Sequence, residues 1–312
     1  MRGGRRVAAT AAVAGLALAL LAGAGLWYHR VSAPAAPALA ALASVGELLQ
    51  DSGAAADWRL ARLRSNPQIL VIEFPGLHEQ ALALNRLAAL TEKASAPRDR
   101  LLPDDELAAL IQASGDTPDT YYFGHDYRGS ALVRFFTLAA SQPALLNAQE
   151  QRLRGLLLAQ QVLAAEGQRL VGRAPPRAVI SFTRPQADDP ATPADETVDA
   201  QRREAVLRHE LSHGQFFTRA EYREHCWEFW RNALSEGERE RFRGYLSGID
   251  YDPRNEELMV NETQALLMHT PDPRAFDAAD VGLTPERLRS LQIRFGVGVP
   301  AGVLPDPAAG TP

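Results

Sequence analysis

Along most of the chain, apolar residues recur at helical spacing. Stripes of that period run over 77–94, 103–113, 128–141, 147–170, 198–217, 219–234, 236–247, 254–269 and 285–294, and each predicts an α-helix with one face turned to a core. Start signals accompany several of them. Thr218 with Glu221, and Ser235 with Glu238, have capping-box spacing, and Thr284 followed by Pro285 is a helix entry. Two short runs break the period: Gln68 to Phe74 and Ala178 to Phe182 are β-branched, lie between turn residues, and predict strands. The Pro- and Asp-rich stretch from Pro185 to Asp195 reads as a surface loop. The predicted class is α+β, mainly α-helical, with a small β-sheet and no internal repeat.

The start of the chain has a different pattern. An uncharged run from Val7 to Tyr28 is long enough to cross a bilayer as one helix, with Arg2, Arg5 and Arg6 before it and Trp27, Tyr28, His29 and Arg30 at its exit. Residues 1–30 are therefore expected to form an N-terminal membrane anchor, touching the membrane through residues 7–28. By the positive-inside rule the rest lies on the periplasmic side of a bacterial inner membrane. The competing reading is a cleaved signal peptide, with the small residues around Ala22 to Gly25 suiting a peptidase and the protein then secreted. Residues 31–44 are almost wholly Ala, Pro, Leu and Ser and read as a linker, and residues 297–312 read as a flexible tail.

Composition narrows the function classes. With 312 residues, 46% of them hydrophobic, the chain can bury a full-sized core. Its 33 basic and 38 acidic side chains nearly balance, so no strong field draws it to nucleic acid, and no nucleic-acid partner is expected. A single cysteine, Cys226, excludes an internal disulfide framework.

The chemistry is concentrated in one predicted helix. His209 and His213 of His209-Glu210-Leu211-Ser212-His213 are four positions apart, so both imidazoles leave one face and can grip a single ion, with Glu210 beside them. Zinc takes nitrogen ligands at about 2 Å and keeps a position open for water, and a neighbouring carboxylate can take that water's proton. Two solvent-facing histidines on a charged helix are the bland alternative.

In this motif the chain resembles the zincin metallopeptidases, defined by His-Glu-x-x-His. The metzincin branch is excluded, because Phe216 and Arg219 stand where it needs Gly and His. The segment Asn261-Glu262-Thr263-Gln264-Ala265 is similar to the Asn-Glu-x-x-Ala/Ser signature of gluzincins, which take their third ligand from a later helix. Periodicity agrees independently: Leu258, Glu262, Ala265 and Leu266 share one stripe, and a carboxylate on an apolar stripe requires a partner such as a metal or an arginine. Glu256 and Glu257, in the first turn of the same helix, read as solvated caps favoured by the helix dipole.

The resemblance implies Zn2+ held by His209, His213 and Glu262, Glu210 as general base, and a protein or peptide substrate. It covers a metallopeptidase core of 177–296 and leaves a helical region, 45–176, without assignment. His225 and Cys226 are rivals for the third ligand. Leu266 stands where thermolysin-like enzymes have an Asp that orients a ligand histidine, so Asp250, Asp252 or Asn261 is expected to do that instead. Tyr245, Tyr251 and His269 are candidate donors to an oxyanion. Upstream, Tyr121 to Tyr127 is an aromatic cluster with a His125-Asp126 pair that suits loop packing or a substrate groove better than a second metal site. The strand 178–182 is expected to offer an edge to an extended peptide. Two further functions stay open: a membrane-anchored scaffold with a structural or degenerate metal site, and a zinc amidase acting on cell-wall peptides.

Overall fold

A computed structural model describes residues 38–50, 56–142, 145–192 and 194–303. The chain divides into Met1–Ala38, almost wholly outside those residues, and Leu39–Pro312, which holds every element below. In order these are β1 (Leu42–Ala43), α1 (Val45–Leu49), β2 (Arg59–Leu63), β3 (Ile69–Phe74), α2 (Leu77–Thr91), α3 (Asp104–Ala113), β4 (His125–Arg128), α4 (Gly129–Ser141), α5 (Ala148–Ala159), β5 (Leu163–Glu166), β6 (Arg169–Gly172), β7 (Ala178–Thr183), α6 (Ala200–Thr218), α7 (Ala220–Glu228), α8 (Glu236–Gly248), α9 (Glu256–His269) and α10 (Pro285–Gly296). A π-helical turn, Phe229–Ala233, continues α7.

Five strands form one sheet in the order β1-β2-β3-β7-β4, and β5 and β6 form a separate hairpin. The central pair β3 and β7 is parallel, from Ile69↔Ala178 to Phe74↔Thr183, and every residue of both strands is buried. Continuous apolar runs are what a strand covered on both faces requires. Alternation sends Leu70, Ile72, Phe74 and Val179 into a core shared with α2, α4 and α5. Ile69, Val71, Ile180 and Phe182 pack on the other face against Leu207 and Leu211 of α6. A third core, with Tyr222, Trp230, Phe242, Met259 and Phe295 at its centre, joins α7 to α10. The N-terminal end of α6 is pinned by Arg203, whose guanidinium pairs with Glu73 of β3 and donates to the Leu48, Leu49 and Thr183 carbonyls.

Several expectations need correction. Among the described residues no helix is long and apolar enough to cross a membrane; α6, with 19 residues, carries charged side chains along its length. The run 7–28 lies outside the described residues. The transmembrane helix, the membrane partner and the inner-membrane, periplasmic location are therefore withdrawn, for the anchored protease and the anchored scaffold alike. The helix expected over 147–170 stops at Ala159: Gln161 takes a φ of 56°, and the chain turns back through Gly167 at φ 62° as the β5–β6 hairpin. Thr218 does not cap α7; its hydroxyl donates to the Gly214 carbonyl instead. Strand β7 is interior to the sheet, so the free edge beside α6 belongs to β4, antiparallel to β7 with Asp126 opposite Ile180.

Candidate metal centre

Helix α6 begins at Asp199, whose carboxylate accepts from the Arg202 N–H, and packs on the sheet so closely that a Cβ on Gly214 would lie 2.9 Å from Ile69 Cδ1. That seat turns His209, Glu210 and His213 away from the apolar contact with β7 and towards α9, which crosses beside it and contributes Glu262. One nitrogen from each histidine and one Glu262 oxygen lie within 4.8 Å of one another. His209 Nε2 is 3.6 Å from Glu262 Oε2, and His213 Nε2 is 3.7 Å from Glu262 Oε1. Donor atoms placed tetrahedrally around an ion at about 2.0–2.2 Å are roughly 3.3–3.6 Å apart, so the spacing suits a shared ion with little movement.

The tautomer of His209 follows from a hydroxyl. Thr270 donates its only proton to the Ala265 carbonyl at 3.0 Å, so at 2.8 Å from His209 Nδ1 it must accept. Nδ1 therefore carries a hydrogen, and Nε2 is the nitrogen that faces Glu262. Thr270 thus does for His209 the orienting expected of Asp250, Asp252 or Asn261, while Asn261 acts on His213. Asp250 instead accepts from Ser95, and Asp252 holds Arg254. Asn261 sits by His213, where it favours the protonated ring, although burial holds the His213 pKa down to about 4.

Two more carboxylates come from outside the predicted motif. Asp126 of β4 reaches within 3.7 Å of His213 Nε2 and forms a second potential ligand group with Glu210 and His213. Glu92, at the end of α2, is pushed up to about 8 by burial and by Glu262. Burial, reinforced by Asp126, Glu262 and Glu92, raises Glu210 well above the usual carboxylate range, and Asp126 rises for similar reasons. Glu262 runs the other way: burial opposes its charge, but His213 and His209 hold it ionised. Nearby Lys93 is committed elsewhere, donating to the Ile249 carbonyl and lying 4.8–5.0 Å from the ring centres of Tyr121, Tyr122 and Tyr251. Both His213 nitrogens and Glu210 Oε2 are buried without a hydrogen bond. Orphaned donor atoms among desolvated carboxylates are what a bound cation would satisfy. The residues therefore fit a metal ion.

The chain matches no family model, no curated protein and no solved structure.

The remaining candidates separate into those at the centre and those away from it. A cavity of ≈ 190 Å³ opens against His209, Glu210 and Glu262, and Tyr122, Tyr245 and Tyr251 line it. The Tyr245 hydroxyl donates to the Ala275 carbonyl at 3.4 Å. Tyr251 is raised well above a normal tyrosine by burial and by Glu262, Glu92 and Glu210. His269 is not at the centre: Tyr222 spends its proton on Gln264 Oε1, so His269 Nε2 donates to the Tyr222 oxygen at 3.3 Å. Gln264 in turn donates to Ser212, tying α9 to α6. His225 is occupied by the Phe295 carbonyl, and Cys226 is buried in the third core. Glu256 and Glu257 stand in the first turn of α9 as expected; Glu256 is exposed and also pairs with Trp230 and Arg243, and Glu257 is half-buried between Arg128 and Arg223.

Glu92 and Thr270 were not singled out by sequence reasoning, and Asp126 and Tyr122 entered it only as members of the Tyr121–Tyr127 aromatic cluster. For Asp126 the only signal was its place in the His125-Asp126 pair. Thr270 follows the last residue of α9, and Glu92 ends α2; neither has diagnostic spacing to the histidines.

Proposed function

We propose that this protein is a zinc-dependent peptidase of the gluzincin type, with His209, His213 and Glu262 as ligands and Glu210 as general base. The observation that carries the reading is the convergence of those two imidazole Nε2 atoms and the Glu262 carboxylate at ligand-to-ligand spacing, with a cleft against Glu210. A bound zinc ion would supply Lewis acidity and make a water molecule acidic enough to attack a carbonyl near neutral pH. Glu210 would accept the proton from that water and return it to the leaving amine. Its site favours a carboxylate that readily takes up a proton, since burial and three neighbouring acids oppose its charge. Tyr251, lining the same cleft, would donate its hydroxyl hydrogen to the carbonyl oxygen as charge develops there.

The peptide would lie along β4, the sheet edge next to α6, where backbone N–H and C=O groups can add an extended chain. Residues 177–296 would carry the ligands and base, while 45–176 would supply the edge strand and the rest of the carboxylate cluster. The test compares wild type with Glu210→Gln on a mixture of unfolded polypeptides, with and without chelator. Zinc should stay bound in the variant while hydrolysis drops by roughly 100- to 10,000-fold, the usual worth of a general base. Equal activity in the two proteins, or cleavage indifferent to chelator, would remove the assignment. Cleavage confined to cell-wall peptides would move it to an amidase with the same centre.

A further inference from the structure

We propose that Asp126, on the edge strand, is a fourth protein donor to the same ion that His209, His213 and Glu262 would hold. The inference rests on the metal-centre reading above and deepens it. His213 Nε2 is 3.7 Å from Asp126 Oδ2 and 3.7 Å from Glu262 Oε1. Both carboxylates therefore address one nitrogen, and an imidazole nitrogen has one lone pair for one ion. Asp126 clusters with Glu210 and His213 rather than with the whole His209–His213–Glu262 set, so its carboxylate must swing towards the ion to join it; the nitrogen the two sets share can serve only one ion, and that makes them one centre rather than two.

Three further observations point the same way. The His213 side chain is 1% exposed and both its nitrogens lack a hydrogen bond, so the atom Asp126 approaches is an orphan aimed into the cluster. Asp126 is delivered by a paired strand rather than by a loop: register opposite Ile180 sends its side chain to the α6 face, while His125 and Tyr127 face the other way. Arg128, two residues on and on the same face, pairs directly with Glu257 and reaches Asp126 only through its charge, whereas His213 is in ion-pair contact with Asp126. Two neutral imidazoles with two carboxylates would balance the charge of a dication, which three donors do not. The cleft against His209, Glu210 and Glu262 keeps the centre open on its substrate side.

The donor count can be read without turnover, from the visible bands of the Co2+-loaded full-length protein, which are weak for five donors (the four protein groups and a solvent molecule from the cleft) and strong for four. Wild type is expected to give the weak bands, and Asp126→Ala the strong ones, with Co2+ affinity lower by at least about tenfold, the size that even an outer-shell partner reaches. Four-donor bands in wild type would overturn the proposal, as would unchanged bands and affinity in Asp126→Ala. Should the alanine variant fail to fold, Asp126→Asn is read by the same criteria. Wild type that takes up Co2+ with four-donor bands leaves the peptidase reading standing and removes Asp126; wild type that takes up no Co2+ removes both.

Discussion

Replacing Gly124 with alanine places a methyl carbon where the loop before β4 meets the metal helix. A Cβ there would lie 2.5 Å from Glu210 Oε1, 2.6 Å from Val206 Cγ1 and 2.7 Å from Glu210 Cγ. Ordinary contacts between such atoms are roughly 3.5–4.0 Å, so the loop or the Glu210 side chain must give by about 1 Å. Overpacking of this kind costs about 1–3 kcal/mol. At about 2–4 °C per kcal/mol for a domain of this size, Tm should fall by roughly 2–12 °C. If Glu210 is the group that yields, turnover should fall by about a hundredfold, the penalty of a 1 Å misplacement. Neither Val206 nor Glu210 is a proposed ligand, so zinc stoichiometry should not change. Gly155→Ala is the control: its Cβ meets nothing within 4 Å, and it should gain up to about 1 kcal/mol at unchanged turnover. Melting curves, zinc analysis and peptide turnover on the three proteins decide the matter. Wild-type Tm and turnover in Gly124→Ala would refute the claim that this glycine seats Glu210.

Thr270→Val removes the acceptor for His209 Nδ1–H and should weaken zinc binding by roughly 10- to 100-fold in a chelator competition, while Thr270→Ser should not. Glu262→Ala should strip the metal, whereas Glu257→Ala, which loses pairs to Arg128 and Arg223, and Cys226→Ser, which lies in the third core, should both keep it. Zinc loss in Cys226→Ser with retention in Glu262→Ala would reverse the ligand assignment. Glu238 has its pKa lowered from 4.5 to about 2: burial opposes this, but Arg287 and the Ser235 cap outweigh it. Its contribution to stability is therefore full above about pH 4.5 and is lost as pH falls towards 2, so Glu238→Gln should flatten the acid limb of Tm against pH.

The longer helices were legible through their stripes, and several through an end signal as well. The α8 cap is an example: Ser235 accepts from the Glu238 N–H, and Glu238 reaches back to the Ser235 N–H. The strands were harder, for reasons that differ from one to the next. Strand β2 reads Arg-Leu-Ala-Arg-Leu, and its buried Arg62 is tolerated because two carbonyls accept from it, Pro67 just beyond the strand and Gln160, distant in the chain. Strand β4 carries His125 and Asp126 at buried or half-buried positions, which breaks the expected alternation. Such breaks are where a site overrides the pattern. His209 and His213 were legible through spacing alone, and Glu262 through its apolar stripe. Asp126, Glu92 and Thr270 reach the cluster only through sheet register and helix crossing, which no local window contains.

The groups that meet at the centre come from β4, α6 and α9, and His213 is separated from Glu262 by all of α7 and α8. An unfolded chain scatters them and has no comparable site. Metal binding and folding would then be thermodynamically linked: a bound ion would act as a removable cross-link that fastens α6 to α9 and closes the helical excursion between them. At a free metal concentration a hundred times Kd, that linkage is worth about 2.7 kcal/mol. Metal supply would therefore set how long the folded chain survives proteolysis, as well as whether it works.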